Sequence, residues 1–392
     1  MRYLTAGESH GPGLMGILEG MPSNLPVDLE LVNRELHRRQ QGFGRGGRMR
    51  IEQDRIEVLS GIRAGKTLGS PIGFLLRNKD WQNWQDIMSQ TQAHPGQEIS
   101  RPRPGHADLS GALKYDFADM RNVLERSSAR ETAMRVAAGA FVKQLLSYFQ
   151  IRIFSHVVQI GDVQINLEKV SDVLQSDRIN QIADQSPVRC LDAQAAEEMI
   201  NRIKQAKSQG DTLGGIIQVI IRNVPVGLGS HTHWDRKLDG QLAAALMSIQ
   251  AIKGVEVGLG FRAARLPGSQ VHDEMFFKDG IVVRSGNNAG GIEGGMSNGQ
   301  DIVLQIAMKP IPTLMKPLHS VDLKTGEPFL AHKERSDVTA VPAAAVIAEA
   351  VVAPVIANAF LEKFGADTVA DIAANLEHYL ERIKRQQGGA HA

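Results

Sequence analysis

The stretch PAAAVIAEAVVAPVIANAFLEKF, Pro342–Phe364, is rich in alanine and apolar on most faces of a helical wheel. A helix of that kind cannot lie on a surface and reads as buried on all sides. Pro342 suits its first turn. Working outward, Asp239–Ile252 has the same character and also reads as a buried helix. Ala129–Phe149 is the clearest helix of all. Ser128 and Glu131 have the S-x-x-E spacing of a capping box, and Met134, Val136, Ala140 and Leu145 follow. Asp28–Gln40 is amphipathic, with Leu29, Val32 and Leu36 on one stripe and Arg38 and Arg39 at the end where cations are favoured. Between the helices, Ile51–Leu59, His156–Ile165, Gly215–Val224 and Asp301–Met308 are β-branched or alternating and read as strands. Strands in blocks, separated by buried helices, predict an α+β fold with helices packed between sheets rather than a doubly wound one.

Composition narrows the function classes. The chain has 392 residues, 44 Lys+Arg against 43 Asp+Glu, 42% hydrophobic residues and one cysteine. A near-zero net charge argues against a protein that coats nucleic acid or a membrane surface, so an electropositive site must come from local clustering. Cys190 alone cannot build a disulfide framework or a cysteine-based metal site. The N-terminus lacks an apolar h-region, and no stretch reaches the roughly 18 uncharged apolar residues of a membrane span. A cytoplasmic location is expected. No repeat or Ser/Pro-rich linker divides the chain, so one domain over 1–392 is expected, with a polar tail from about Arg382 that frays.

Four segments carry chemistry. Gly7-Glu8-Ser9-His10-Gly11 sets an imidazole between glycines, approachable from several sides. With a pKa of about 6.5, a histidine there could serve as a general acid, or be a plain surface turn. Arg38, Arg39, Arg45, Arg48 and Arg50 are interleaved with Gly42, Gly44, Gly46 and Gly47. Arginine forks grip phosphate or carboxylate and glycines let backbone close around the anion. A solvated basic loop and an RGG-like RNA-binding patch compete with that reading. Arg101-Pro102-Arg103-Pro104-Gly105-His106-Ala107-Asp108 presents a second histidine on rigid backbone. Beyond it, Arg121 and Arg126-Ser127-Ser128-Ala129-Arg130-Glu131 bring hydroxyls and arginines to a helix N-terminus, a ready anion site. The Gly290–Gly299 loop, Lys309-Pro310-Ile311-Pro312-Thr313 and Arg335-Ser336-Asp337 form the fourth group. His231-Thr232-His233 lacks a third ligand nearby, so no metal is expected. A dinucleotide fingerprint and a P-loop are both missing.

Taken in order along nearly the whole chain, these motifs resemble the chorismate synthases. To them the resemblance adds Ser248-Ile249-Gln250-Ala251-Ile252-Lys253-Gly254 and Gly290-Gly291-Ile292-Glu293-Gly294-Gly295. It implies a carbon–oxygen lyase acting on phosphates. The reaction is a 1,4-anti elimination converting 5-enolpyruvylshikimate 3-phosphate into chorismate and phosphate, with reduced FMN required and no net redox change. It implies that His10 assists the departing phosphate, His106 lies near the flavin, and Asp337 aids proton transfer. Flavin contacts would fall on Arg126, Ser127, Ser128, Gln250, Ala251, Gly295, Lys309, Pro310, Ile311, Pro312, Thr313 and Arg335. Arg39, Arg45, Arg48, Arg103 and Arg130 would hold substrate or, in bifunctional relatives, NADP. The family fold is a β-α-β sandwich with central helices between antiparallel sheets, as a homotetramer.

The sequence shows no extra nucleotide-binding module, which favours a monofunctional enzyme served by an external flavin reductase, with NADPH as indirect reductant. Two other classes stay open at this point. One is an RNA-binding protein using Arg45-Gly46-Gly47-Arg48, which predicts salt-sensitive RNA binding and no need for either histidine. The other is a flavoprotein reductase, which predicts stoichiometric NADPH consumption.

Overall fold

A computed structural model describes residues 1–45, 53–92, 96–278, 280–331 and 337–388. The long apolar helix spans Val341–Phe364, with Pro342 in its first turn and most of its residues buried, Glu349 included. Among the described residues it is also the one helix long and apolar enough to cross a membrane, and 89% of its most apolar stretch is buried inside the protein. Core packing therefore accounts for its hydropathy.

That helix lies against the Thr132–Tyr148 helix, and the small side chains of both permit a close approach. At Gly139 a Cβ would sit 2.3 Å from the Ala350 carbonyl oxygen. A larger residue there would drive the helices apart, at a cost of about 1–3 kcal/mol. The Leu29–Gln40 helix packs on both.

Two antiparallel sheets flank these helices. The first has the order Arg2–Ala6, Gly13–Glu19, Ile72–Arg77, Glu57–Val58. Its Gly13–Glu19 strand alternates, burying Leu14 and Leu18 towards the Thr132–Tyr148 helix and exposing Met15 and Ile17. The second has the order Ile252–Val257, Ile302–Met308, Gly215–Arg222, Arg152–Ile160, Val163–Gln164, and its Arg152–Ile160 and Gly215–Arg222 strands touch the Val341–Phe364 helix. The α+β expectation is met, with one apolar cluster running from Leu14 to Ile372.

Several elements differ from the sequence expectation. The Asp239–Ile252 helix is Leu238–Met247, and it buries only Leu238, Leu242 and Leu246. Alanine is small enough to sit on an exposed face as easily as a buried one, so the apolar wheel overstated the burial. Ala251, at φ +67°, ends the segment, and Ile252 opens a strand. Leu29 is exposed, and the buried stripe is Val32, Leu36 and Arg39. Of Ile51–Leu59, only Glu57–Val58 is strand among the described residues. A turn at Gly161 splits His156–Ile165 between Arg152–Ile160 and Val163–Gln164. The polar tail expected from Arg382 is helical through Gly388, as part of Val369–Gly388.

Glu349 would be costly at the centre of this core without partners. Its Oε2 accepts from Arg38 Nη1 (2.9 Å), Lys143 Nζ (2.5 Å) and Asn180 Nδ2 (3.2 Å), and its Oε1 from Arg38 Nη2 (3.0 Å) and the Ser155 hydroxyl (2.6 Å). Glu35, Asp184 and Arg189 complete the cluster. Three acids and three bases balance. Burial would raise the Glu349 carboxyl, but Arg38 and Lys143 outweigh it and hold the group well below the usual range.

Candidate functional site

The residue after Arg38 turns the other way. Arg39, 3% exposed, ends the Leu29–Gln40 helix and donates through Nη2 to Asp54 Oδ2 at 2.9 Å. Asp54 also takes Arg130 Nη1 on both oxygens, at 2.7 and 2.8 Å. Burial pushes the Asp54 carboxyl up, but the two guanidinium groups outweigh that and hold it below its ordinary value. Burial lowers Arg39 to about 10, which still leaves it charged at neutral pH. Arg45 joins Asp337 at 2.9 Å and is near enough to Arg39 to oppose its charge. Asp54 thus joins Arg39 and Arg130, and Asp337 joins Arg45. Arg39 Nε is buried with no partner among the described residues, an arrangement that costs about 1–3 kcal/mol unless something accepts from it.

Asn78 couples this pair to the first histidine. Its Oδ1 accepts from Arg130 Nε (3.1 Å) and Nη2 (2.9 Å). Its Nδ2 donates to the carbonyls of Glu8, Ser9 and Gly11, at 3.2, 3.2 and 2.9 Å, and so clamps the loop that carries His10. His10 stacks on Trp84 with ring centroids 3.9 Å apart, and its backbone N–H and Nδ1 both meet the Glu125 carboxylate. Arg121 lies over the same indole, 5.5 Å from its centroid.

His106 stands in a second group. Gly105 is at φ +77°, and a Cβ there would fall 2.9 Å from Pro312 Cβ, so the loop can fold onto Lys309–Thr313 only with glycine. Lys309 Nζ donates to the Gly105 carbonyl at 2.8 Å. His106 Nδ1 faces the Pro104 carbonyl (3.3 Å), an acceptor only, so Nδ1 carries the proton and Nε2 accepts from the Thr313 hydroxyl at 3.1 Å. Burial, then the nearby Arg103, push the imidazole below its ordinary value and keep it neutral. Arg103 itself is held by Asp108, with Nε–Oδ2 at 2.8 Å.

The Gln250–Ala251 turn adjoins both groups. The Ala251 carbonyl accepts from Lys309 N–H (2.9 Å), and Gln250 Nε2 donates to Glu131 (2.7 Å). A cavity of about 520 Å³ opens here, lined by Thr5, Arg126, Glu131, Arg135, Ser248 and Gln250. Arg126 donates to the carbonyls of Thr5 and Gly7. Gln250 Oε1 is buried with no partner among the described residues. A larger cavity of about 940 Å³, by Met1, Glu19, Asn358 and Asp367, holds none of the predicted residues.

The structure therefore brings together His10, Arg39, Arg45, Arg130 and Asp337 on one side and His106, Arg103, Lys309, Pro312 and Thr313 on the other. Arg126 and Gln250 border the cavity between chain start and strand end, and Ala251 follows Gln250 in the chain. Ile311 offers its carbonyl to Thr212 (2.6 Å), and Pro310 is exposed. Ser127 closes the preceding helix, Arg121–Ser127, rather than opening the next. Ser128 does cap, but it caps a 3-10 turn, Ala129–Glu131, by accepting from Arg130 N–H, and it also meets the Ser9 hydroxyl at 3.2 Å. Glu131 pairs with Arg135 and Gln250. Gly295 packs on Lys237 and Leu238, at the opposite end of the Leu238–Met247 helix from Gln250. Arg48 and Arg335 lie outside the described residues.

Four participants escaped the sequence reading: Asp54, Asn78, Trp84 and Glu125. A buried arginine pair demands a carboxylate, so Asp54 was inferable in kind, though nothing local marked which acid it would be.

The family model described as chorismate synthase matches residues 1–361. The chain is 58% identical over 394 aligned positions to the chorismate synthase of Pelobacter propionicus, covering 98% of this chain and 99% of the relative. It is 56% identical to that of Brevibacillus brevis, covering 97% and 98%. A crystal structure of chorismate synthase superposes with a TM-score of 0.78 at 44% identity, covering 98% of each chain. With a family model over residues 1–361 and relatives at 58% and 56% identity over nearly the whole chain, the chain belongs to the chorismate synthase family.

Proposed function

We propose that the chain catalyses the 1,4-anti elimination of phosphate from 5-enolpyruvylshikimate 3-phosphate to give chorismate, the last step of the shikimate pathway. It acts as a monofunctional carbon–oxygen lyase that depends on reduced FMN. The observation that carries this reading is the buried Arg39–Asp54–Arg130 group joined through Asn78 to the His10 loop. A substrate with one phosphate and two carboxylates would supply an acceptor to the buried Arg39 Nε, which has no partner among the described residues. Each charge-assisted bond is worth about 1.5–3 kcal/mol.

The flavin fits the chemistry of the neighbouring residues. Gln250 Oε1 is a buried acceptor awaiting an N–H donor, and Arg126 supplies a cation for a phosphate. Ser127, Ser128, Ala251, Lys309, Pro310, Ile311, Pro312, Thr313, Gly295 and Arg335 complete the residues assigned to hold it. Reduced FMN, when bound, supplies electron density to the substrate and accepts the C6 proton. His10 donates a proton or hydrogen bond to the departing phosphate, which lowers the barrier to C–O cleavage. His106, neutral and oriented by Pro104 and Thr313, faces the cofactor side. Asp337, paired with Arg45, assists the proton's departure. Arg45 and Arg103 are assigned as substrate or NADP contacts, a role the family resemblance also gives to Arg48.

The enzyme works as a cytoplasmic homotetramer with the family's β-α-β layering, supplied with reduced flavin by a separate reductase that draws on NADPH. The exposed apolar outer face of the first sheet (Leu4, Met15, Ile17) supports assembly. An anaerobic assay with chemically reduced FMN tests the reaction. Equal chorismate and phosphate are expected with reduced FMN, and none with NADPH plus oxidised FMN. Folded protein giving no product with reduced FMN refutes the proposal.

A further inference from the structure

Glu125 is buried, with 2% of its surface exposed, and its carboxylate meets His10 in two places. Oε2 accepts the His10 backbone N–H at 2.8 Å, while His10 Nδ1 lies 2.9 Å from Oε1 and 3.1 Å from Oε2. The carbonyl of Glu125 also accepts the Ser9 N–H at 3.1 Å, so backbone and side chain together fix both ends of the loop's turn. Trp84 covers the imidazole with an interplanar angle of 26°, and its own indole N–H is tied to Asp80 at 3.1 Å. The ring can therefore neither flip nor slide without breaking a buried contact.

A carboxylate only accepts, so the ring nitrogen facing it must be the donor. We propose that Glu125 is a positioning residue for His10: it sets the ring's orientation and its Nδ1–H tautomer, and so makes Nε2 the nitrogen that exchanges a proton in the elimination. This rests on the reaction assigned to the site above. It extends that reading to a residue 115 positions away in sequence, which acts only through His10.

Glu125→Gln separates positioning from bulk, because it preserves shape and exchanges one acceptor for a donor. The backbone N–H of His10 cannot become an acceptor, so it claims the amide oxygen. The amide NH₂ then faces Nδ1, which can answer only by giving up its proton. The substitution should thus convert the neutral ring from Nδ1–H to Nε2–H and deprive the proton-donating imidazolium of the acceptor for its Nδ1–H. Glu125→Asp stays an acceptor only and should keep the Nδ1–H form with a looser hold.

The experiment pairs side-chain ¹⁵N spectra of histidine-labelled, ligand-free protein, at a pH where the ring is neutral, with turnover under reduced FMN. A His10→Asn variant identifies the resonance. The expected result is Nδ1–H in the parent and in Glu125→Asp, and Nε2–H in Glu125→Gln. Glu125→Gln should lose about 10²–10⁴ in kcat with KM within about threefold, and Glu125→Asp should lose clearly less. An Nε2–H parent, or a Glu125→Gln spectrum that does not change, overturns the proposal. So does an unchanged kcat in Glu125→Gln, or a Glu125→Asp as impaired as Glu125→Gln, which would assign Glu125 to packing. The spectra report the hold on the ring whatever the reaction. Failure of the parent to form chorismate is a separate result, which refutes the reaction and with it the catalytic half of this proposal.

Discussion

Arg38 and Arg39 leave the same turn of the Leu29–Gln40 helix, yet they enter two different charge clusters. Around Arg38, the acids Glu35, Asp184 and Glu349 face Arg38, Lys143 and Arg189, and the charges cancel. Around Arg39, Asp54 holds Arg39 and Arg130 together and Asp337 pairs with Arg45. Among the described residues each cluster has an arginine Nε without a partner, Arg189 in the first and Arg39 in the second. A single orphan atom therefore does not separate them; their place in the fold does. The first ties helices together, and the second is joined through Asn78 to the His10 loop.

The largest effect is expected where the balanced cluster is broken. Glu349→Ala leaves three buried cations short of a partner and should cost about 3–5 kcal/mol in urea unfolding, with activity per folded molecule retained. A loss under about 1 kcal/mol would mean that the cluster is not what binds the helices.

Arg39→Ala should do the reverse, since Arg130 still neutralises Asp54. Substrate affinity should fall by about 10–150-fold, equivalent to one charge-assisted bond, with a smaller loss of stability than Glu349→Ala. Calorimetric titration with the substrate checks this, and an unchanged affinity would remove Arg39 from the anion site.

Inorganic phosphate sharpens the contrast further. At about 100 times its Kd it should stabilise the parent by about 2.7 kcal/mol, seen as a rise in Tm. Glu349→Gln should keep that rise and Arg39→Ala should lose it. The opposite pattern would exchange the roles of the two clusters.

The smallest effect is in acid. Glu349 and Asp54 are both held below their ordinary values, so the unfolded chain takes up protons first as the pH falls. Their contribution is complete above a pH of about 4.3 and is lost below it as the folded-state groups titrate. Unfolding midpoints from pH about 6 to about 3 should fall less steeply in Glu349→Gln than in the parent. Parallel curves would show that Glu349 carries no linked proton.

Legibility in the sequence followed distance along the chain. The Val341–Phe364 helix was readable nearly to its ends because an all-apolar wheel has one physical outcome, burial. The Leu238–Met247 helix was misjudged because alanine tolerates either environment. Strands Arg2–Ala6 and Gly13–Glu19 went unread, since glycines weaken the alternation of the second. In the site, His10, His106 and the arginines were marked by the glycines and prolines around them. Asp54 and Glu125 were not, because no glycine- or proline-marked motif holds them and their partners lie 15 and 76 residues from Asp54 and 115 from Glu125.

By itself the sequence determined which segments must be buried, that the chain is electrically neutral overall, and which loops concentrate arginine and histidine. These are local properties, set by side-chain hydropathy and backbone freedom within a few residues. Only the tertiary structure decided that Arg38 and Arg39 serve different clusters, that Asn78 joins the arginine pair to the His10 loop, and that Glu125 meets His10. Pairing of buried charges is a matter of geometry over a few ångströms, and chain order does not encode which distant groups the fold will bring that close.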